Sequence, residues 1–306
     1  MILDRPLRGI TLMLGFCVLA PLGDSLAKIL GPTIPLGQLV LIRFAVQAAL
    51  LVPLVIMSDL DWRLTGAAWR LALLRTLLHI AGIGTMFTAL QYLPLADAIA
   101  IVFVMPFIML LLGRFVLGEE VGPHRLAACG VGFIGTLLVI QPNFLSVGYI
   151  ALLPVGVAII FALFMLTTRK LAKMVDPVAL QAVSGTMAVA ILAPFMVLGA
   201  ALDYLPLSLV TPTAVEWQML AAIGILGTLA HLLMTWSLRF APSATVAPMQ
   251  YLEIPVATLI GYWLFSELPD TLAACGIILT ITAGVYVVLR EQSSARRLAR
   301  NGPPTV

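Results

Sequence analysis

The stretch Leu126–Gly130 reads Leu-Ala-Ala-Cys-Gly, and the same five residues return as Leu272–Gly276. A glutamate stands shortly before each copy, Glu119 before the first and Glu267 before the second, and the two are 148 positions apart. The same displacement relates two further pairs, Trp69 with Trp217 and Pro94 with Pro242. Self-similarity at a nearly constant distance predicts a chain built from two similar halves.

The composition predicts that the solvent of this chain is lipid. Of its 306 residues, 61% are hydrophobic and 10% are charged, and the mean hydropathy is +1.10. A soluble domain carries roughly 25% charged residues, so this chain has too little polar surface to stay in water. Its apolar runs are too long and too uniform for barrel strands, which predicts an all-α integral membrane protein. At about 20 apolar residues per crossing, we predict ten transmembrane spans, numbered 1 to 10: residues 8–30, 34–57, 67–91, 95–117, 124–141, 147–168, 178–199, 215–238, 243–265 and 270–289.

The halves are expected to be inverted. Each holds five spans, and an odd number makes the second half enter the membrane from the opposite side. We predict a first repeat at residues 1–143, a second at 144–290 and a disordered cytoplasmic tail at 291–306. Glu119 is then expected at the cytoplasmic face and Glu267 at the outer face.

Basic residues predict the orientation, with both termini in the cytoplasm. In that orientation Lys28 is the basic residue near the outer face, so the net charge of +3 reflects topology and not nucleic-acid binding. The run after Arg8 is too long for the apolar core of a signal peptide and is interpreted as span 1. On the cytoplasmic side lie Arg5, Arg8, Arg63, Arg70, Arg114, Arg125, Arg169, Lys170, Lys173, Arg239, Arg290, Arg296, Arg297 and Arg300.

Four short segments resemble the drug/metabolite transporter superfamily, and within it the EamA family. They are Tyr92–Ala98 (Tyr-Leu-Pro-Leu-Ala-Asp-Ala), Leu117–Glu119 (Leu-Gly-Glu), Leu252–Pro255 (Leu-Glu-Ile-Pro) and Phe265–Glu267 (Phe-Ser-Glu). The resemblance covers residues 8 to 290. It implies a ten-helix bacterial carrier of the inner membrane, with a substrate cavity lined by spans 1, 3, 4, 6, 8 and 9 and alternating access between the halves.

Several charged or polar residues are placed deep in the predicted spans, where one charge costs about 2.5 to 17 kcal/mol. Helical spacing puts them on shared faces as Arg43 with Gln47, Arg75 with His79, Gln250 with Glu253 and Asp24 with Lys28, while His231 stands in span 8. We predict the substrate-binding residues as Arg75, His79, Arg43, Gln250, Tyr251, Glu253, Trp236 and His231. Arg75 is the foremost of them, because its planar guanidinium matches carboxylate or phosphate.

Glu253 and Asp24 are predicted to couple transport to a proton, and Pro106 and Pro255 to act as hinges at the gates. Each role has a structural alternative. Asp24 can form a local ion pair with Lys28, Glu253 can be the counter-ion of Arg43, and the two prolines can be static kinks. Arg43 can tie span 2 to a neighbour, and the histidines can donate to backbone carbonyls.

The functional expectation is secondary-active transport of a small polar organic metabolite that is anionic or zwitterionic, such as an amino acid, S-adenosylmethionine or a riboflavin-like solute. The alternative is a multidrug exporter of lipophilic cations. Nucleophile-elbow, zinc-protease and phosphate-loop motifs are absent from the sequence, so an enzyme is not expected. Cys17, Cys129 and Cys275 lack metal-ligand spacing. The expected partners are substrate, lipid and a coupling proton, ion or counter-substrate, with no cofactor, and no sequence feature specifies an oligomer.

Overall fold

A computed structural model describes residues 6–64, 66–116, 123–202, 204–242 and 246–301, and Glu119 lies outside these ranges. The described residues form eleven α-helices joined by turns and short 3-10 segments. The helices are α1 (Pro6–Leu30), α2 (Leu36–Met57), α3 (Gly66–Leu90), α4 (Leu95–Val102), α5 (Met105–Val116), α6 (Pro123–Val147), α7 (Leu153–Ala172), α8 (Pro177–Ala201), α9 (Ala214–Phe240), α10 (Glu253–Phe265) and α11 (Thr271–Asn301).

Six helical segments in the described ranges are long and apolar enough to cross a membrane, which makes this a multi-pass membrane protein. One of them, Leu126–Ala172, has 47 residues. At 1.5 Å per residue it would measure about 70 Å, more than twice the hydrocarbon thickness. It is divided by a 3-10 segment, Gly148–Leu152, that starts at a glycine with φ +67°. Glycine adopts that backbone conformation without steric cost, so Gly148 fits the point where α6 ends and α7 begins.

Predicted spans 4 and 9 are both interrupted. Span 4 is divided into α4 and α5 by a turn at Phe103 and Val104. Pro106, the second residue of α5, has no N–H to donate to the carbonyl four residues earlier, which accounts for a break at this place. In the described part of span 9, the 3-10 segment Ala247–Leu252 leads into α10, whose third residue is Pro255. Both predicted hinge prolines therefore lie at helix junctions.

The predicted disordered tail is wrong up to Asn301, because α11 continues without interruption from Thr271 to that residue. Residues 291–301 are rich in Glu, Gln, Ala, Arg and Leu, which have high helix propensity. Helix-breaking residues come only afterwards, at Gly302, Pro303 and Pro304.

The helices pack in pairs that bring the two halves together. Helix α1 packs along α9, α3 along α7, α2 against α8 and α6 against α11. At the α6–α11 crossing, a Cβ added to Gly135 would stand 2.7 Å from the carbonyl oxygen of Gly276. Small residues allow such close approach between membrane helices. Gly276 closes the second copy of the repeated pentapeptide, so this piece of the repeat has a packing role.

Candidate functional site

The interior of the bundle contains a cavity where α1, α3, α4, α7, α9 and the interrupted span 9 meet. These helices correspond to spans 1, 3, 4, 6, 8 and 9, the set that the family resemblance implies. The lining residues are Phe16, Ala20, Asp24, Gly82, Ile83, Met86, Ile99, Val102, Phe103, Met105, Val157, Phe161, His231, Gln250 and Glu253.

Four polar side chains stand in this mostly apolar wall. Asp24 comes from α1 and His231 from α9. Gln250 lies in the 3-10 segment, and Glu253 is the first residue of α10. A helix start is a favourable place for a carboxylate, because the first backbone N–H groups carry partial positive charge. The interruption of span 9 therefore creates the position that Glu253 occupies.

All four of these polar residues were among the predicted site residues, whereas the apolar wall was not. Phe16, Ala20 and Asp24 recur every four residues on one face of α1. That spacing is a signal that could have identified Phe16 and Ala20 once Asp24 was chosen. Phe103 and Phe161 carry no comparable signal, because apolar residues occupy both the lipid-facing and the interior positions of a membrane helix.

Two groups that do not line the cavity contact the His231 ring. Its Nδ1 lies 3.0 Å from Nη2 of Arg43 and 2.9 Å from the carbonyl oxygen of Gly227. A Cβ on Gly227 would stand 2.8 Å from Nε of Arg43, so the missing side chain gives the guanidinium its place. Arg43 is thus one residue removed from the cavity, and its hydrogen-bond partner among the described residues is His231 and not Glu253.

Arg75 does not line the cavity. It is fully buried, and it donates from Nε to Thr168 Oγ1 at 2.8 Å and from Nη1 to Ser184 Oγ at 2.6 Å. Its Cζ lies 4.6 Å from the centre of the Phe164 ring. The predicted foremost substrate contact is therefore held between α3, α7 and α8 by hydroxyl groups and an aromatic face.

His79 lies between Arg75 and the cavity wall. Its ring centre is 4.6 Å from that of Phe164, 4.9 Å from that of Phe44 and 4.3 Å from that of His231. Among the described residues neither of its nitrogens has a hydrogen-bond partner. His79 is also absent from the cavity lining.

The two predicted aromatic contacts lie elsewhere. Trp236 packs with a separate cluster formed by α2, α8 and α9. Tyr251 is buried against Gly284 of α11 and Gly132 of α6, with its ring 5.2 Å from that of Phe103. Neither side chain is among the residues that line the cavity.

The ion pair of Asp24 with Lys28, which was the structural alternative for Asp24, is not formed, because Lys28 pairs with another residue. Lys28 Nζ pairs with Glu267 Oε1 at 2.6 Å and donates to the carbonyl oxygen of Leu93 at 2.8 Å. The second oxygen of Glu267 accepts from the backbone N–H of Leu95 at 3.2 Å. Asp24 is left facing the cavity, one turn deeper on α1.

The lining residues define which chemical groups the cavity offers to a bound molecule. Among the lining residues that the structure describes, none is Lys or Arg, so the cavity offers carboxylates, an amide, an imidazole and aromatic faces. No group of His, Cys, Asp and Glu in the described part of the chain has the geometry to hold a metal ion. Such a wall accommodates an apolar or aromatic body whose polar groups donate and accept hydrogen bonds.

Comparison with known proteins identifies the family. The model of the EamA-like transporter family matches the chain twice, at residues 7–141 and 148–290. A riboflavin transporter of Rhizobium johnstonii is 30% identical over 239 residues, covering 76% of this chain and 74% of its own length. An S-adenosylmethionine uptake transporter of Rickettsia prowazekii is 24% identical over 288 residues, covering 94% of this chain and 95% of its own length.

A solved crystal structure has the same fold, with a TM-score of 0.68 at 20% identity over 96% of this chain and 98% of the other. The two family matches together span most of the sequence, from residue 7 to residue 290. The chain belongs to the EamA-like transporter family.

Proposed function

We propose that this protein is a secondary-active transporter of a small polar organic metabolite, which binds in the cavity between α1, α3, α4, α7, α9 and α10. The observation that carries the proposal is the coincidence of that cavity with the interface of the two family-matched halves. The relatives named for riboflavin and S-adenosylmethionine support a metabolite in preference to a lipophilic cation. Both solutes combine a flat heterocycle with hydrogen-bonding groups, a combination that suits the aromatic and polar wall.

Asp24 and Glu253 are proposed to couple transport to a proton. Both carboxylates line the cavity, and no lining residue that the structure describes is a basic counter-ion. A carboxylate in that setting can release its proton when a group of the substrate binds to it. This exchange can accompany the change in which side of the membrane the cavity faces. Central carboxylates beside a broken helix are a recurrent place for coupling in transporters.

The helix pairing supports an inverted repeat of two five-span halves, at residues 1–143 and 144–290. In such a repeat α1 corresponds to α7, and α3 to α9. The contact of α1 with α9 then has its counterpart in the contact of α7 with α3. The contact of α2 with α8 and the contact of α6 with α11 each correspond to themselves, because exchanging the halves exchanges the two helices of the pair. All of these contacts are present, as a two-fold relation in the membrane plane requires.

Alternating access is proposed to involve the ion pair of Lys28 with Glu267. Lys28 belongs to the first half and Glu267 to the second, so the pair joins the halves at one end of the bundle. The contacts to Leu93 and Leu95 extend this junction to the turn before α4. Opening at that end would separate these groups, with Pro106 and Pro255 at the helix junctions able to act as hinges. The distribution of basic residues supports a bacterial inner membrane with cytoplasmic termini, which makes this the outer end.

The test is uptake of labelled riboflavin and S-adenosylmethionine into liposomes that contain only the purified protein, with and without a pH gradient. We expect accumulation of at least one metabolite, faster when the gradient is imposed. Glu253→Gln is expected to lose the response to the gradient while retaining exchange of the same solute across the membrane. Glu216→Gln is the matched control, because it removes a partly exposed carboxylate at the start of α9 and keeps an acceptor for the helix cap.

Two outcomes would contradict the proposal. Uptake of tetraphenylphosphonium with neither metabolite transported would establish the multidrug exporter. A gradient response in Glu253→Gln equal to that of the wild type would remove the coupling role from Glu253.

A further inference from the structure

We infer that His231 donates a hydrogen bond from Nε2–H to the substrate, and that Arg43 sets this tautomer from behind the cavity wall. The cavity would then select solutes that present a hydrogen-bond acceptor, such as a carbonyl oxygen or a ring nitrogen, to α9. The inference rests on the proposed function and names one recognition residue and the substrate chemistry that it selects.

The contact with Arg43 favours one of the two neutral tautomers of His231. A guanidinium has N–H donors and no acceptor. Nη2 of Arg43 lies 3.0 Å from Nδ1 of His231, so Nδ1 must supply a lone pair. An imidazolium has no free lone pair, and the neutral ring has only one proton. In the tautomer that accepts this bond from Arg43, the proton is on Nε2.

A second contact makes this choice reversible. The carbonyl oxygen of Gly227 lies 2.9 Å from the same Nδ1 and can only accept. Arg43 and Gly227 thus require opposite tautomers of one ring. While Arg43 is in place its charged donor prevails, because hydrogen bonds with an ionised partner are roughly twice as strong as neutral ones. Without Arg43, Nδ1–H would donate to Gly227 and Nε2 would become an acceptor.

None of the described neighbours of His231 forms a hydrogen bond with its Nε2. It is buried and has no partner among the described residues, although His231 lines the cavity. A buried donor without a partner is unfavourable, and a solute that accepts its hydrogen bond removes that cost. The other polar atoms in the wall are mainly acceptors: the carboxylates of Asp24 and Glu253 and the unpartnered Oε1 of Gln250. A donor on Nε2 complements them.

The tautomer can be measured directly by nitrogen NMR on protein labelled with ¹⁵N-histidine in lipid nanodiscs. The chain has three histidines, and His231→Phe assigns the signal of interest. We expect the wild type to show a bare Nδ1 and a protonated Nε2, and Arg43→Met to show the reverse. A protonated Nδ1 in the wild type, or an Arg43→Met spectrum identical to it, would overturn the assignment of the tautomer to Arg43.

Recognition is tested with riboflavin and S-adenosylmethionine as probes. The side-chain amide of Gln can place an N–H near the position of Nε2, whereas that of Asn reaches only the position of Nδ1. We expect His231→Gln to retain probe affinity to within a few-fold, and His231→Asn and His231→Phe to lose about tenfold or more. Thermal unfolding of each variant separates misfolding from lost binding.

Equal affinities in all three variants would overturn the substrate contact. Failure of the wild-type protein to bind either probe would count against the proposed function, and the NMR result would still decide the tautomer. The two failures are therefore distinguishable.

Discussion

Two arginines occupy neighbouring regions of the protein interior and are held in different ways. Arg43 stands behind the cavity wall, with its guanidinium against Gly227 and its Nη2 on His231. Arg75 lies farther from the cavity, between α3, α7 and α8, and its guanidinium donates to Thr168 and Ser184. We call the first region the His231 wall (Arg43, Gly227, His231) and the second the Arg75 layer (Arg75, Phe164, Thr168, Ser184).

The difference teaches that depth in the membrane does not assign a function to a charge. Both guanidiniums are almost completely buried. One acts on the cavity through a residue that lines it, while the other joins three helices. We therefore expect substitutions in the His231 wall to change substrate affinity and substitutions in the Arg75 layer to change stability.

The largest effect is expected when the Arg75 layer loses its acceptors. Thr168→Val with Ser184→Ala leaves two charged N–H donors buried without partners, at about 1.5 to 3 kcal/mol each. The free energy of unfolding in detergent should fall by about 3 to 6 kcal/mol, with transport per folded molecule unchanged. Thr186→Val is the control on the same helix, because its hydroxyl bonds to the carbonyl of Ala182. If the double variant kept wild-type stability but lost transport, Arg75 would be assigned to the substrate site.

A smaller loss is expected when the aromatic face of the Arg75 layer is removed. Phe164→Leu deletes the ring that lies 4.6 Å from the guanidinium, an interaction worth about 1 to 2 kcal/mol when desolvated. Thermal unfolding should show the decrease, and substrate affinity should be retained. A reduced affinity at wild-type stability would show that the layer and the wall act as one unit.

The His231 wall is expected to respond in affinity. Gly227→Ala places a methyl group where the Arg43 guanidinium lies, and a flexible side chain can move away at little cost to stability. The movement breaks the contact with His231, so we expect about tenfold weaker substrate binding, equivalent to 1.4 kcal/mol. Gly84→Ala is the matched control, since a Cβ there meets nothing within 4 Å. Wild-type substrate affinity in Gly227→Ala would show that Arg43 does not influence substrate binding through His231.

The smallest effect is expected at the boundary of the two regions. His79→Phe replaces a ring that has two buried, unpartnered nitrogens and is surrounded by Phe44, Phe164 and His231. The free energy of unfolding should rise by about 1 kcal/mol, because polar atoms without partners leave the interior. Any loss of substrate affinity above about twofold would assign His79 to the His231 wall.

Most polar residues of the site could be predicted from the sequence, but which of them line the cavity and which lie behind its wall could not. Asp24, His231, Gln250 and Glu253 stood out because polar residues in apolar spans are costly and rarely accidental. Arg75 stood out for the same reason and nevertheless lies behind the wall. Side-chain hydroxyls such as Thr168 are unremarkable in a membrane helix, so their pairing with Arg75 left no signal in the sequence.

The ion pairs show the same limit of prediction from the sequence. Helical spacing brought Asp24 and Lys28 onto one face, and i, i+4 partners are the contacts that a sequence can propose. Lys28 instead meets Glu267, which is 239 positions away. A contact between distant helices depends on how they pack, and spacing within one helix contains no information about that.

The sequence by itself determined that the chain lies in lipid, that it repeats, and which residues are costly to bury, because composition and periodicity act locally along the chain. Only the tertiary structure decided which of those residues share a cavity. The facing side chains of six helices define that cavity, and the glycine at 227 admits one guanidinium behind it. Such three-dimensional complementarity arises between segments far apart in the chain, and it separates the His231 wall from the Arg75 layer.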